Sequence, residues 1–286
     1  MKISTSEAYL QDRDQVIQIL TNFWDKISYT FDETWGPHIH HGYFDDGANL
    51  TLFEAQELLT HKLIDLVDGR EIKRILDAGC GMGVTSIYLT QRLNAVVNGV
   101  TLSPEQVEIA RKKAKQKGID TVEFQVEDVH SLKSFPDGSF DLVWSLESCE
   151  QFYDKPLFLQ QANRVLQPNG YLMLATWCSG HEEYTDRDAE KYKRLCKALD
   201  LPYMPTIDYY ARALEDAGFN IILKEDWSDK VAKTWSIAPA NFYRKFWNYI
   251  LKTGFRGFKF VQDFKLMDQG YKENRVRYGV FLAQKK

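Results

Sequence analysis

The chain has 286 residues, enough for one large domain or one domain with an appended cap, and its 44% apolar and 27% charged residues with few Gly and Pro exclude a disordered or collagen-like polymer. A formal charge of −4 gives no basic field for a phosphate backbone, so no nucleic-acid partner is expected. No apolar run approaches the roughly 18–20 residues that span a bilayer; peripheral membrane contact and oligomeric state stay open.

The opening stretch, MKISTSEAYLQDRDQ, is polar and holds acids, so it reads as neither a secretory signal nor a transit peptide. Cys80, Cys149, Cys178 and Cys196 show no CxxC or zinc spacing and read as free thiols. A cytoplasmic protein is the expectation. Residues 1–72 read as an N-terminal helical lid interrupted by an aromatic, His-rich segment, Trp35–Phe44.

From 73 to 226, apolar runs alternate with helical patterns, the mark of an α/β domain with a parallel sheet. Strands are expected at Arg74–Asp77, Ala95–Leu102, Val122–Val126, Phe140–Leu146, Tyr171–Trp177 and Phe219–Asp226, and a last one at Arg275–Ala283. Helices are expected at about 83–93, 104–117, 156–166, 187–199 and 206–217. The second of these is sharply marked. Ser103 can cap it, Pro104 takes its first position, Gln106 follows three after the cap, and Gly118 ends it. Residues 227–274 are dense in Trp, Tyr and Phe and read as a substrate cap, as a helical subdomain packed on the sheet, or as both; residues 275–286 return to the core.

The strongest local signal follows the first core strand, in Arg74-Ile-Leu-Asp-Ala-Gly-Cys-Gly-Met-Gly83. A glycine-rich turn between strand and helix lets a ligand approach the backbone. Its glycines are two apart, unlike those of dinucleotide folds, and Asp77 stands just before them. That acid would repel a pyrophosphate but suits a cation, and S-adenosylmethionine carries an ammonium and a sulfonium and no phosphate. The next strand ends in Thr101-Leu102, where many such sites place an acid for the ribose; Thr101 and Gln106 can bond the hydroxyls instead. Asp128 and Val129 end the third strand, either as an adenine clasp or as a solvated acidic turn. The fourth runs into Ser145-Leu146-Glu147-Ser-Cys-Glu150. Expected cofactor contacts are therefore Asp77, Gly79, Cys80, Gly81, Gly83, Thr101, Leu102, Gln106, Asp128, Val129, Ser145 and Leu146. Glu150, Glu147 and His40 are the candidate bases or acceptor-orienting groups, with His41 beside them. His38, His40 and His41 lack a matched Cys or carboxylate partner, and no metal is expected.

These segments, in this order, resemble the class I methyltransferases. Trp35-Gly-Pro-His-Ile-His-His-Gly-Tyr-Phe44, Val143-Trp-Ser-Leu-Glu-Ser, Ala175-Thr-Trp-Cys178 and Leu201-Pro-Tyr203 look more narrowly like the γ-tocopherol methyltransferase-like group. The chain is also similar, at a greater distance, to cyclopropane-fatty-acid synthases and sarcosine methyltransferases. The likeness runs from about residue 20 to the C terminus. It implies a Rossmann-like, seven-stranded, mostly parallel sheet with its last strand antiparallel, a lid over S-adenosylmethionine, and an insertion over the acceptor. It further implies a small hydrophobic or aromatic acceptor: a phenolic, prenylated quinol methylated on carbon, or an indole-type product methylated on nitrogen, in quinol or secondary metabolism. One departure stands out, because relatives often carry Glu-His where this chain has Glu150-Gln151. Two other readings remain: a cofactor-binding protein without turnover, and a nicotinamide oxidoreductase, which the glycine spacing and Thr101 oppose.

Overall fold

A computed structural model describes residues 2–7, 12–34, 37–45, 47, 49–237 and 265–286. Its sheet is built of β2 (Arg74–Ala78), β3 (Val96–Thr101), β4 (Val122–Val126), β5 (Phe140–Leu146), β6 (Leu166–Ser179), β8 (Phe219–Asp226) and β9 (Val276–Lys285). The spatial order is β4-β3-β2-β5-β6-β9-β8. Neighbours from β4 to β6 pair in parallel, while β9 is antiparallel to both β6 and β8. The seven-stranded, mostly parallel sheet with a reversed last strand is thus as expected.

The central strands are apolar on both faces because both faces are covered, whereas the edge strands β4 and β8 keep exposed polar residues. Ile75, Leu142, Trp144 and Met173 point into one core, with Leu59, Leu63 and Ile64 of α2 (Leu52–Asp65), Ile87 of α3 (Val84–Leu93) and Val107 of α4 (Pro104–Gln116). Their sequence neighbours Leu76, Val143 and Leu172 point into the other, with Phe158 and Val165 of α5 (Lys155–Val165) and Tyr210 and Leu214 of α7 (Ile207–Asp216). Alternation along each strand divides the two cores. Helix starts are fixed by caps. Thr51 and Glu54 form a reciprocal capping box on α2, and Ser103, Asp154 and Thr206 cap α4, α5 and α7.

Two differences from expectation have physical causes. β6 begins at Leu166, five residues earlier than its apolar run, because Phe140 pairs with Leu166 before a register irregularity and carries polar residues into the ladder. Near the N terminus, β1 (Lys2–Ser4) pairs antiparallel with β7 (Glu183–Thr185), just before α6 (Asp186–Ala198). Three-residue polar strands leave no periodicity to read, so this two-stranded sheet was not expected in a region read as helical. α1 (Arg13–Thr34) and α2 do supply the expected N-terminal helices, and α8 (Ser228–Val231) opens the segment after β8. Most of the aromatic residues that suggested a cap, from Phe242 to Phe264, lie outside the described residues, as does Trp35.

Candidate active site

The strand order reverses at β2, with β3 on one side and β5 on the other, so the carboxyl ends of these strands flank the switch point where α/β ligands bind. A cavity lies there, and Asp77, Gly79, Cys80, Gly81, Thr101, Leu102, Gln106, Asp128, Val129, Leu146, Glu147, Glu150 and His40 all line it. Gly83 and Ser145, expected among the cofactor contacts, do not. A Cβ on Gly83 would sit 2.6 Å from both Ala110 and the Phe124 ring, so this glycine lets α3 pack closely against α4 and β4. Ser145 is buried and hydrogen-bonds Ser148, whose hydroxyl in turn donates to the Ala78 carbonyl.

The glycine turn divides its work. Gly79 and Gly81 both have positive φ, 86° and 51°. A Cβ on Gly79 would meet Ser148 at 2.3 Å, whereas one on Gly81 would meet nothing within 4 Å. Gly81 is therefore the point where the backbone lies open to a ligand. The backbone N–H groups of Gly79 and Cys80 both donate to the Val100 carbonyl, fixing the turn against β3. Beneath it, Asp77 is buried, and its one side-chain hydrogen bond among the described residues comes from Ser86 at 2.5 Å. Burial pushes its carboxyl up to about 7, and the bond from Ser86 offsets only part of this. A buried carboxyl with a single neutral donor is suited to an incoming cation.

Beyond β3, the Thr101 hydroxyl donates to the side-chain oxygen of Gln106 at 2.7 Å, while Ser103 caps α4 on the Gln106 N–H. Asp128 accepts from the backbone N–H and ring Nδ1 of His130, at 2.9 and 2.7 Å, and from Arg13 of α1. Burial acts to raise the Asp128 carboxyl, but His130 and Arg13 together hold it well below the usual carboxylate range. His130 was not among the expected site residues. Lying two residues after Asp128, it also accepts from the Asp154 N–H and so ties the end of β4 to the start of α5.

The three candidate bases differ sharply. Glu147 adopts a left-handed φ of 47° at the end of β5, an uncommon conformation for a residue with a Cβ. Its carboxylate receives four donors: the His41 N–H at 2.8 Å and Nδ1 at 2.7 Å, Trp177 Nε1 at 3.0 Å and the Tyr278 hydroxyl at 2.9 Å. Burial opposes its charge, yet the His41 contacts prevail and hold the carboxyl below its ordinary range. The Trp235 indole N–H donates to His41 Nε2 at 2.6 Å, while His41 Nδ1 donates to Glu147. His40 donates from Nδ1 to the His41 carbonyl, leaving Nε2 to face His38 at 3.1 Å and Thr60 at 3.2 Å. Burial lowers its proton affinity and drives that of His38 down to about 2.

Glu150, on the single 3₁₀ turn Cys149–Gln151, is different. Its carboxylate has one side-chain partner among the described residues, the Thr176 hydroxyl at 2.8 Å. Burial first, and the Glu147 charge second, push it up to about 8. It is an acid poised between charge states near neutral pH and facing a cavity.

One face of α1, within the segment expected to form the lid, also lines the cavity with residues not singled out from the sequence. Val16, Ile17, Leu20, Phe23 and Trp24 recur at helical spacing, a signal that was readable, and line the cavity opposite the sheet. Among the described residues no group of His, Cys, Asp and Glu is arranged to hold a metal ion, and no helix is long and apolar enough to cross a membrane.

With this geometry in hand, residues 70–232 match the family model described as a methyltransferase domain. The chain is 30% identical over 284 residues to the chloroplastic tocopherol O-methyltransferase of Arabidopsis thaliana, covering 93% of this chain and 81% of that one. It is 34% identical over 221 residues to the 27-O-demethylrifamycin SV methyltransferase of Amycolatopsis mediterranei, covering 77% and 80%. Among solved structures, geranyl diphosphate C-methyltransferase from Streptomyces coelicolor, in complex with S-adenosyl-L-homocysteine, shares its fold with a TM-score of 0.76 at 18% identity over 95% of this chain and 98% of that one.

Proposed function

Since the chain belongs to the class I S-adenosylmethionine-dependent methyltransferases, we propose that it methylates a small apolar or aromatic molecule of the phenolic-quinol or indole-alkaloid kind, on carbon or nitrogen, and that Glu150 takes the acceptor's proton. The observation that carries this reading is the pairing of an apolar chamber with one underused acid. Leu20, Phe23, Trp24, Trp177 and Trp235 line the cavity beside Glu150. The described lining residues include Asp77, Glu127, Asp128, Glu147, Glu150 and Asp200 but no Lys or Arg. The carboxyl groups present on this wall disfavour a phosphate or carboxylate acceptor by like charge and favour a neutral or basic one.

The residues present fit the cofactor. Asp77 would receive its ammonium and Gly81 would let it approach the backbone. Gln106, whose side-chain oxygen is engaged by Thr101, would offer its amide N–H groups to the ribose. Val129 and Leu102 would flank the adenine and Asp128 would accept from its amino group. When bound, S-adenosylmethionine supplies an electrophilic methyl group.

What remains for the protein is alignment, exclusion of water, and the proton. The apolar face of α1 keeps water from the chamber. Glu147 is spent on four donors and holds His41, Trp177 and Tyr278 in place, so it orients the acceptor wall. The His40 lone pair faces His38 and Thr60, so His40 shapes the wall as well. Of the three candidate bases, Glu150 alone combines cavity access with a proton affinity near the working range, the condition for a general base. A phenol or indole gives up its proton to Glu150 as the nucleophile attacks.

The test is methyl transfer from isotope-labelled S-adenosylmethionine to a panel of prenylated phenols, indole alkaloids, hydrophobic amines and a prenyl diphosphate. Turnover is expected with an apolar phenol or indole and not with the diphosphate. Turnover confined to the diphosphate would overturn the reading.

A further inference from the structure

Lys155 is fully buried at the first turn of α5, an uncommon place for a lysine. Its ammonium is caged. Nζ donates to the carbonyl oxygens of Glu150 at 3.1 Å and Phe152 at 2.9 Å, and lies 3.7 Å from the centre of the Tyr203 ring. Two carbonyl acceptors and one π face use all three N–H groups of an ammonium. Both carbonyls belong to the segment that includes the 3₁₀ turn Cys149–Gln151, so the lysine grips the backbone that carries Glu150. Simple packing needs none of this: a Leu or Met would fill the volume without the cost of burying a charge.

We propose that Lys155 is the positioning residue for the acceptor-side acid, its caged ammonium fixing the turn that presents the Glu150 carboxyl to the cavity. The proposal rests on Glu150 as the proton acceptor. Thr176 on β6 hydrogen-bonds the Glu150 carboxylate, and the titratable groups close enough to interact with its charge are Glu147 at the end of β5, Lys155 on α5, Cys149, Cys178 on β6, Tyr210 on α7, and Tyr271 and Tyr278 near and on β9. Around Lys155 stand the thiols of Cys149, Cys178 and Cys196. Of these groups, Lys155 is the cation. Burial and the Glu147 charge favour the protonated acid; a bond from the Glu150 backbone, the Thr176 hydroxyl and then Lys155 favour the carboxylate, and burial pulls the Lys155 ammonium itself down to about 8.

The experiment is a pH titration of the full chain by difference infrared spectroscopy, following the carbonyl band of protonated carboxyls. Glu150→Gln identifies the Glu150 component, and thermal denaturation with S-adenosylmethionine confirms the fold of each variant. In Lys155→Met the Glu150 midpoint is expected to rise, because the turn loses its grip and the carboxylate loses a nearby cation. A folded Lys155→Met with an unmoved midpoint would reduce the lysine to packing and overturn the proposal. Should Lys155→Met not fold, Tyr203→Leu removes the π face and keeps the ammonium; a smaller upward shift is expected, and no shift overturns the proposal. The base reading is judged separately, because a Glu150→Gln enzyme with undiminished methyl transfer would defeat it whatever the infrared midpoint does.

Discussion

Trp24 of α1 donates its indole N–H to the side-chain oxygen of Gln151, 3.0 Å away, on the turn that also carries Glu150. The helix over the cavity is therefore joined directly to the acceptor wall. α1 also reaches Asp128 through Arg13, Ser103 through Asp25 at 2.5 Å and Lys113 through Asp32 at 2.6 Å, so it bridges the loops after β3, β4 and β5. Gln151→Leu removes the acceptor that the Trp24 indole N–H uses on this turn. A lost hydrogen bond of about 1 kcal/mol predicts an acceptor KM raised roughly fivefold. The S-adenosylmethionine Kd is expected to hold within about twofold. Steady-state kinetics and calorimetry read the two separately, and an unchanged acceptor KM would show that the bond does nothing for the chamber.

Asp77 makes cofactor affinity depend on pH in a definite direction. Its carboxyl is held up to about 7 by burial, so it is largely protonated in the free protein below neutrality. A group with a raised folded-state value stabilises the fold at low pH, and this contribution is lost as pH rises from about 4 through about 7. An ammonium placed beside the carboxyl reverses the burial effect, and binding then releases a proton at pH 6. S-adenosylmethionine affinity is expected to rise with pH to about 7 and then level off. Calorimetry in two buffers of different ionisation enthalpy should show proton release at pH 6 that fades by pH 8. Asp77→Asn should weaken binding and abolish the pH dependence. A flat profile in the parent protein would mean that Asp77 does not meet the cofactor's charge.

The parts of this molecule that were legible in the sequence are those fixed by local pattern. Alternating apolar runs gave the strands to within a few residues, and Ser103, Pro104 and Gly118 bounded α4 because capping is a local event. The lip of the cavity was legible for the same reason: the Asp77–Gly83 turn, Thr101, Asp128 and Glu150 all follow directly from strand ends. What stayed hidden depends on contacts between segments far apart in the chain. Gly83 looks identical to Gly81 along the sequence, yet only the packing of Phe124 and Ala110 shows that it serves the core. Glu147 reads along the sequence as a base or an acceptor-orienting group, and only the fold brings His41, Trp177 and Tyr278, from three different segments, onto its carboxylate. Lys155 reads as an ordinary helix-start residue unless its distance to Tyr203 is known.

The four donors on Glu147 make it a stability element with its own pH signature. Its carboxyl is held below the usual range chiefly by His41, against the effect of burial. A depressed carboxylate contributes stability above its unfolded value and loses it as pH falls through the folded one. Acidification below about pH 4.5 should therefore lower the Tm more steeply in the parent protein than in Glu147→Gln, which has no charge to lose. At pH 7, Glu147→Leu leaves the ring N–H of His41, the Trp177 indole and the Tyr278 hydroxyl without their acceptor, and a loss of about 3 kcal/mol or more is expected from thermal or denaturant unfolding. A change within about 0.5 kcal/mol would show that these groups find other partners.

Gly81 and Gly83 should separate cofactor binding from folding. Both have positive φ, so an alanine at either position pays backbone strain of about 1–2 kcal/mol. Only Gly83→Ala also drives a Cβ to 2.6 Å from Ala110 and Phe124, an overpacking that costs about 1–3 kcal/mol more. In the cofactor-free protein, Gly83→Ala should therefore lower the Tm by at least about 5 °C, and Gly81→Ala by clearly less. The order reverses when S-adenosylmethionine binding is measured by calorimetry. The Cβ of Gly81→Ala would project into the open space where the turn meets its ligand, and a Kd raised at least about tenfold is expected from the contact alone. Gly83→Ala, measured below its Tm, should bind nearly as tightly as the parent, because its extra methyl group faces the core. If both variants lost affinity in proportion to their lost stability, the turn would be acting as one folding unit, and Gly81 would have no separate part in holding the cofactor.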